Sequence, residues 1–364
     1  MGCIPFVPKY EPISFTLSKK MVQTAYKEIR DIGFDFEACT LAKVHLEDLE
    51  IGYTLGTGGY SNISAVSIAN LERKACSEES IQGITTPKLI NYHGEPLAIK
   101  MLNVSLVQNY NKFANGAIDL ILEAGYLSTL DHPNILKIHG ISANGPDGYL
   151  NGRHDSFFLI LSQLRETLQD RIKVWRKYDT VLRTGWLRNT KMRMKKKNTF
   201  LIERLKVAMD IASGLSYLHS NRLIHRDLKP ANIGFDFDNQ VKIFDLGLCG
   251  KLPSEASCDL ELTHKLSGGI GTKKYMSPEV ADHKPYNQGA DVYSFGIVLY
   301  EILFLSCPIP RKNRMIDNIL LHDKNRCPDS ITSVMLSCLS PVIEVRPTMK
   351  DVHDAIELSI SQLT

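Results

Sequence analysis

The chain has 364 residues, 43% hydrophobic and 23% charged. That length predicts about two domains, or one two-lobed unit with an extension, and the composition excludes a fully disordered chain or a fibre. The 43 basic and 40 acidic residues give +3, but residues 171–197 hold eleven Lys/Arg against one acid, Asp179, so that segment carries +10 and the rest −7.

The N-terminal residues read as a tail in which Pro5, Pro8, Lys9 and Glu11 interrupt any apolar run. No export signal is expected there, which points to the cytosol or nucleus. Gly2 and Cys3 hint at dual acylation, but Phe6 stands where the myristoylation pattern wants Ser or Thr. Met21, Val22, Ala25, Ile29 and Ile32 recur at helical spacing within residues 13–45 and predict a helix packed on the chain beyond it. From Leu49 the period changes to alternation, through a Gly-rich turn, to a second run from Tyr60 to Ile68, a strand–turn–strand signature. Residues 70–95 read as an inserted loop, and Leu97 to Leu102 as a short strand.

A helix is expected over Ile118–Leu130, stopped before Pro133 because a residue preceding proline avoids the helical region. Ile135–Ile141 and Phe157–Leu161 read as strands joined by a turn at 145–152. The basic segment 171–197, with Trp175 and Trp186, reads as a solvated loop before a long helix over Phe200–His219. Beyond it lie short strands and loops to about Asn287, then helices; Phe295–Cys307 is too short to span a bilayer and reads as buried helix. The eight cysteines show no Cys-x-x-Cys pair and fit scattered thiols, not a disulfide framework or a zinc site.

Four strings carry chemistry. Gly56-Thr57-Gly58-Gly59-Tyr60-Ser61 lets a backbone approach phosphate oxygens. Lys100 on an apolar strand is costly to bury without an anion, and Glu123 on the next helix could supply one. In His225-Arg226-Asp227-Leu228-Lys229-Pro230-Ala231-Asn232, Asp227 can accept a hydroxyl proton, Lys229 can neutralise a phosphoryl group, and Asn232 offers a hard oxygen for Mg²⁺. Asp245-Leu246-Gly247 ends an apolar strand on an acid suited to the same metal.

In this order, followed by Pro278-Glu279, the strings resemble the eukaryotic-type protein kinase family, serine/threonine branch, over about residues 46–360. The resemblance implies an α+β, two-lobed kinase-like fold: a β-rich small lobe at about 46–161, after an N-terminal segment 1–45, and a mainly helical lobe at about 162–360. It implies ATP and Mg²⁺ as cofactors and a protein substrate. Leu55, Gly56, Gly58, Ser61, Ile63 and Ala98 would cradle the nucleotide, with Leu161 as gatekeeper and Ser162, Gln163 and Leu164 offering hinge backbone groups. Lys100 would hold the α/β-phosphates, fixed by Glu123; Asn232 and Asp245 would hold Mg²⁺; Asp227 would be the catalytic base and Lys229 would stabilise the γ-phosphoryl charge.

Lys229 and Thr272 fit a Ser/Thr acceptor, while Asp291–Gly296 has a tyrosine-kinase-like flavour that leaves dual specificity open. Arg226 would pair with a phosphorylated loop residue, Thr263 or Ser267. Glu279 and Arg346 are expected to form a buried ion pair, and His225 to be a core residue with Leu127, Ile138 and Leu246.

Four positions depart from the family pattern: Ser61, Leu246, Ser277 and Gly234. Gly234 stands where an apolar adenine floor is usual, and its missing side chain is expected to loosen the nucleotide by ~1–2 kcal/mol, unless Phe235 compensates. The alternative to an enzyme is a pseudokinase scaffold; a nucleic-acid-binding protein with an incidental kinase fold is a further alternative. The basic insertion could serve an acidic partner, an anionic surface or localisation, with nucleic acid the less expected occupant.

Overall fold

The computed structural model describes residues 13–68, 96–184, 190–253, 268–306 and 327–364, in two compact units: 13–131 with 136–163, and 132–135 with 164–364. The N-terminal tail, the inserted loop at 70–95, Trp186, Thr263 and Ser267 lie outside the described residues.

The first unit is built on β4 (Leu97–Leu102), the expected short strand. Alternate side chains of a strand point to opposite faces. Leu97 and Ile99 join Val44, Leu49, Val66, Phe158 and Ile160 in a core on one face, which leaves Ala98, Lys100 and Leu102 to the other. Six strands assemble around it in the order β1-β5-β6-β4-β3-β2: β1 (Ala42–Val44), β2 (Leu49–Thr57), β3 (Ser61–Ile68), β5 (Ile138–Ser142) and β6 (Phe158–Ser162). All pairs are antiparallel except β1 with β5. The outer strand β1 comes from residues assigned in sequence to the N-terminal segment, so the sheet begins before residue 46.

The expected N-terminal helix is α1 (Phe15–Asp31), whose buried face is Ser18, Met21, Val22, Ala25 and Ile29. The helix carrying Glu123, α2 (Tyr110–Thr129), starts eight residues before the expected Ile118. Asn109 caps it, its side chain accepting from the Lys112 amide at 3.1 Å; buried Phe113, Ala114 and Ala117 extend the inner face of the helix toward this cap, between Asn111, Lys112, Asn115 and Gly116. The run from Ile135 is divided. Asn134 donates to Val241 O at 3.1 Å and accepts from the Ile243 amide at 2.8 Å, tying 132–135 to the second unit, while β5 begins only at Ile138.

The second unit is organised by α4 (Thr190–Ser220), α6 (Gly289–Phe304) and α8 (Met349–Leu363), with α3 (Leu168–Thr184), the short α5 (Pro278–Ala281) and α7 (Asp329–Cys338) around them. Small sheets set β9 (Ile233–Phe235) between β7 (Glu166–Thr167) and β10 (Val241–Ile243), and pair β8 (Leu223–Ile224) with β11 (Gly250–Lys251). Arg204 of α4 donates to the carbonyls of Ile302 and Leu303, which a helix C-terminus leaves unpaired. No helix among the described residues is long and apolar enough to cross a membrane.

The described parts of the basic segment are helical, not a solvated loop. Residues 171–184 belong to α3 and 190–197 to the first turns of α4. Buried Ile172, Trp175 and Leu182 give α3 an inner face, and the Trp175 and Tyr178 rings meet Phe200 edge-on at 6.4 and 4.9 Å. Arg193 donates to Leu182 O at 3.0 Å and Arg183 O at 2.6 Å, capping the end of α3. The apolar positions that fold this stretch were hidden in sequence by the density of charge around them.

Candidate active site

In the first unit, β4 presents Lys100 to α2, and Nζ lies 2.6 Å from Oε2 of Glu123. Both side chains are buried, at 7% and 2% exposure. A charge removed from water in this way is stable only with a close partner, so the lysine is held at one place. Register puts Ile63 of β3 opposite Lys100 and Leu161 of β6 opposite Ala98. Four of the expected nucleotide residues thus share one central stretch of sheet.

Leu55, Gly56, Gly58 and Ser61 lie along the β2–β3 hairpin, where the Gly58 amide donates to Ser61 O at 2.8 Å. Cβ atoms added at Gly56 and Gly59 would meet nothing within 4 Å, and neither residue has positive φ. Crowding and backbone strain therefore leave these glycines unexplained, whereas the approach of a phosphate chain to bare backbone explains them. This is the observation on which ATP fits the residues present. The hinge expectation narrows: the amides of Ser162 and Gln163 already donate to Lys137 O and Pro96 O, at 3.0 and 2.9 Å.

In the second unit, the sequence strings 225–232 and 271–272 converge on Asp227. Its Oδ2 accepts from Lys229 Nζ at 2.6 Å and from Asn232 Nδ2 at 3.2 Å; its Oδ1 accepts from the Thr272 amide at 2.7 Å. Lys229 also donates to Thr272 Oγ1 at 3.0 Å. Asn232 gives a second bond to Asp227 O at 2.9 Å, which commits its NH₂ and leaves Oδ1 as the oxygen for a cation. Asp245 follows β10 with φ of +67°, a left-handed backbone at the strand's end. An amide oxygen and a carboxylate are the hard donors that Mg²⁺ takes.

The loop is anchored from below by Asp291 of α6. It accepts from the amides of His225 and Arg226 at 2.7 and 3.0 Å and from His219 Nε2 at 3.0 Å. Burial alone would raise the Asp291 carboxyl, but these donors outweigh it and hold the group below the usual carboxylate range. His225 is fully buried, its Nδ1 accepting from the Asp227 amide and its Nε2 beside Phe244 O. That is a structural arrangement, as the sequence reading expected of His225. Arg226 donates to the carbonyls of Leu248 and Cys249; the phosphosites proposed for it, Thr263 and Ser267, lie outside the described residues. Glu279 and Arg346 do pair, through two bonds of 2.6 and 2.8 Å.

Gly234 leaves no empty space in the described residues around it. A Cβ there would stand 2.5 Å from Leu164 Cδ1 and 3.2 Å from Phe244 Cε1. The space is filled by those two side chains, and Phe235, its neighbour on the opposite face of β9, is buried beneath Arg171, whose guanidinium sits 3.9 Å from the ring centroid. Sequence reasoning also missed what Gly271 does. With φ of +100° it brings Thr272 to Asp227, and a Cβ would stand 2.4 Å from Arg226 O. Only its place beside Thr272 in the sequence hinted at this.

The family model that describes the protein kinase domain matches residues 87–355. A probable serine/threonine-protein kinase of Dictyostelium discoideum, gdt4, is 34% identical over 170 residues, 43% of this chain and 10% of that protein. The serine/threonine-protein kinase STY46 of Arabidopsis thaliana is 44% identical over 110 residues, 30% of this chain and 18% of that protein. A further probable serine/threonine-protein kinase of Dictyostelium discoideum is 25% identical over 338 residues, 88% of this chain and 40% of its own. The chain therefore spans less than half the length of each of these relatives.

Proposed function

The chain belongs to the protein kinase domain family, and on that premise we propose that it transfers the γ-phosphoryl group of ATP to a Ser or Thr hydroxyl of a protein substrate. The observation that carries this reading is the fixed Asp227 carboxylate, held by Lys229, Thr272 and Asn232. Such transfer needs positioning and charge neutralisation more than covalent participation. Mg-ATP supplies the transferable group. Asp227 orients the acceptor hydroxyl and takes its proton, while Lys229 neutralises charge on the moving phosphoryl group. Lys100, fixed by Glu123, binds α/β-phosphate oxygens, and Asn232 and Asp245 present oxygens to the metal.

The test is incubation of the full chain with γ-labelled ATP, Mg²⁺ and a peptide mixture offering Ser, Thr and Tyr. Label on Ser or Thr supports the proposal. Label on Tyr alone overturns the acceptor assignment, and nucleotide binding without transfer favours the scaffold reading.

The basic segment supports a second element of function, an acidic protein partner. Lys173, Lys177, Lys191, Lys195, Lys196 and Lys197 are exposed on α3 and α4, interleaved with exposed Val174, Val181, Met192 and Met194. Methionine and valine suit a protein contact. Base stacking needs a presented aromatic platform; Trp175 is buried, and Tyr178, 44% exposed, is a single ring that meets Phe200 edge-on. An acidic protein fits this face better than nucleic acid.

A further inference from the structure

The Lys100–Glu123 contact joins a strand to a helix, so it is only as well placed as α2 itself. The helix has two close neighbours on opposite sides. Gly116 and Gly125 are nine residues apart, about 180° around a helix that turns about 100° per residue. A Cβ at Gly116 would meet Tyr60 and Leu102 of the β-sheet side at 3.1–3.2 Å, and one at Gly125 would meet Ile29 Cδ1 at 2.7 Å and Ile32 Cδ1 at 3.1 Å. Glu123, seven residues beyond Gly116, lies about 20° from it and therefore faces the sheet. The sheet is on one flank of α2 and α1 is on the other.

The second flank is closely fitted. α2 packs more extensively on α1 than on any strand. Contacts run the length of both helices, from Tyr110 Oη donating to Leu17 O at 3.2 Å to the Ile29–Gly125 approach. The end of α1 is locked: Gly33, with φ of +79°, lets its own amide reach Arg30 O at 2.9 Å and the Phe34 amide reach Ile29 O at 3.2 Å. This paired closure of a helix terminus sets Phe34 beside Ile29 over Gly125. Burial, with the nearby Asp147 carboxylate, pushes the Tyr26 hydroxyl up to about 12. Phe36 then packs edge-on against Phe157 at 6.0 Å. All of α1 and its closing turn lie outside residues 87–355, the stretch that the family model matches.

We propose that α1 is a positioning brace carried within the chain: by packing Ile29, Ile32 and Phe34 over Gly125 it holds α2 against the sheet and keeps Glu123 on Lys100, so that no partner is needed to seat that helix. The proposal rests on the kinase reading for its consequence in catalysis, but the placement of α2 can be read without it.

The experiment uses the full chain carrying Ile29→Asp, with Ile29→Ala as the milder change should the aspartate abolish the cooperative thermal transition. Backbone amides of α2 are expected to exchange hydrogen at least about tenfold faster, while α4 and α6 keep wild-type protection. kcat/KM for ATP is expected to fall roughly 10–100-fold. Combined with Glu123→Gln, the same change is expected to cost less than about threefold more, because the two residues act through one contact. A merely structural α1 would instead multiply the two losses in full. Unchanged α2 exchange, or full multiplication of the losses, overturns the brace. A wild-type chain that transfers no phosphate overturns the kinase reading and leaves the exchange result to decide the brace.

Discussion

The backbone amide of Thr272 donates to Oδ1 of Asp227 at 2.7 Å, across 45 positions of sequence. Gly271 makes that approach possible, with φ of +100° and no room for a Cβ beside Arg226 O. Gly271→Ala is expected to cost about 1–3 kcal/mol of stability as backbone strain and to lower kcat on the order of 100-fold by displacing Thr272. Steady-state kinetics and thermal unfolding on the same preparation check both; wild-type kcat in a strained variant would separate Thr272 from Asp227 in function.

Leu164 and Gly234 are complementary, one filling the space that the other vacates. Gly234→Leu alone is expected to overpack the site, costing about 1–3 kcal/mol and raising KM for ATP. The double change Gly234→Leu with Leu164→Ala is expected to recover most of the stability. Tighter ATP binding in the single variant, with stability intact, would show instead that position 234 is an unfilled floor.

Glu279 and Arg346 give a pH dependence with a definite sign. Burial alone would raise the Glu279 carboxyl, but the two bonds and the charge of Arg346 hold it below its ordinary value of 4.5. A depressed folded value contributes stability above the unfolded value, and that contribution is lost as pH falls through the folded one. Chemical denaturation from pH 7 to pH 3 is therefore expected to show a steeper acid-side loss in the wild type than in Glu279→Gln. At neutral pH, Arg346→Met is expected to cost about 3–5 kcal/mol, since it strands a mostly buried carboxylate. Parallel pH profiles in wild type and Glu279→Gln would contradict the assignment.

The exposed lysines of α4 are expected to be dispensable for folding and basal activity. Replacing Lys191, Lys195, Lys196 and Lys197 with Ser should change stability by no more than about 0.5 kcal/mol. Binding of poly-glutamate, measured across a salt series, should weaken in the variant and lose its salt dependence. Stronger wild-type binding to single-stranded DNA than to poly-glutamate would reassign the face to nucleic acid.

The site was more legible in the sequence than the scaffold around it. Asp227, Lys229 and Asn232 stand within six residues, so their joint chemistry is visible as a string, and the same holds for Lys100 within its apolar strand. Elements whose signal is polar or sparse were harder to read. The start of α2 is set by the Asn109 side chain, and the inner face of α3 rests on buried Ile172, Trp175 and Leu182, with Trp175 meeting Phe200 of α4 edge-on. β1 is three residues long and owes its place to pairing with β5, nearly a hundred positions away. The roles of Gly125, Gly234 and Gly271 are invisible locally because each is defined by what would collide with a side chain from elsewhere in the chain.

We propose that Lys100 and Asp227, each fixed within its own unit, serve one phosphoryl transfer. That shared role is tested most directly by measuring γ-phosphate transfer from Mg-ATP to a generic Ser/Thr protein substrate by the full chain beside Lys100→Met and Asp227→Asn. Robust transfer by the wild type is expected, with a loss of roughly 10²–10⁴-fold in each variant and folding intact by circular dichroism. Wild-type transfer no greater than that of either variant would contradict it.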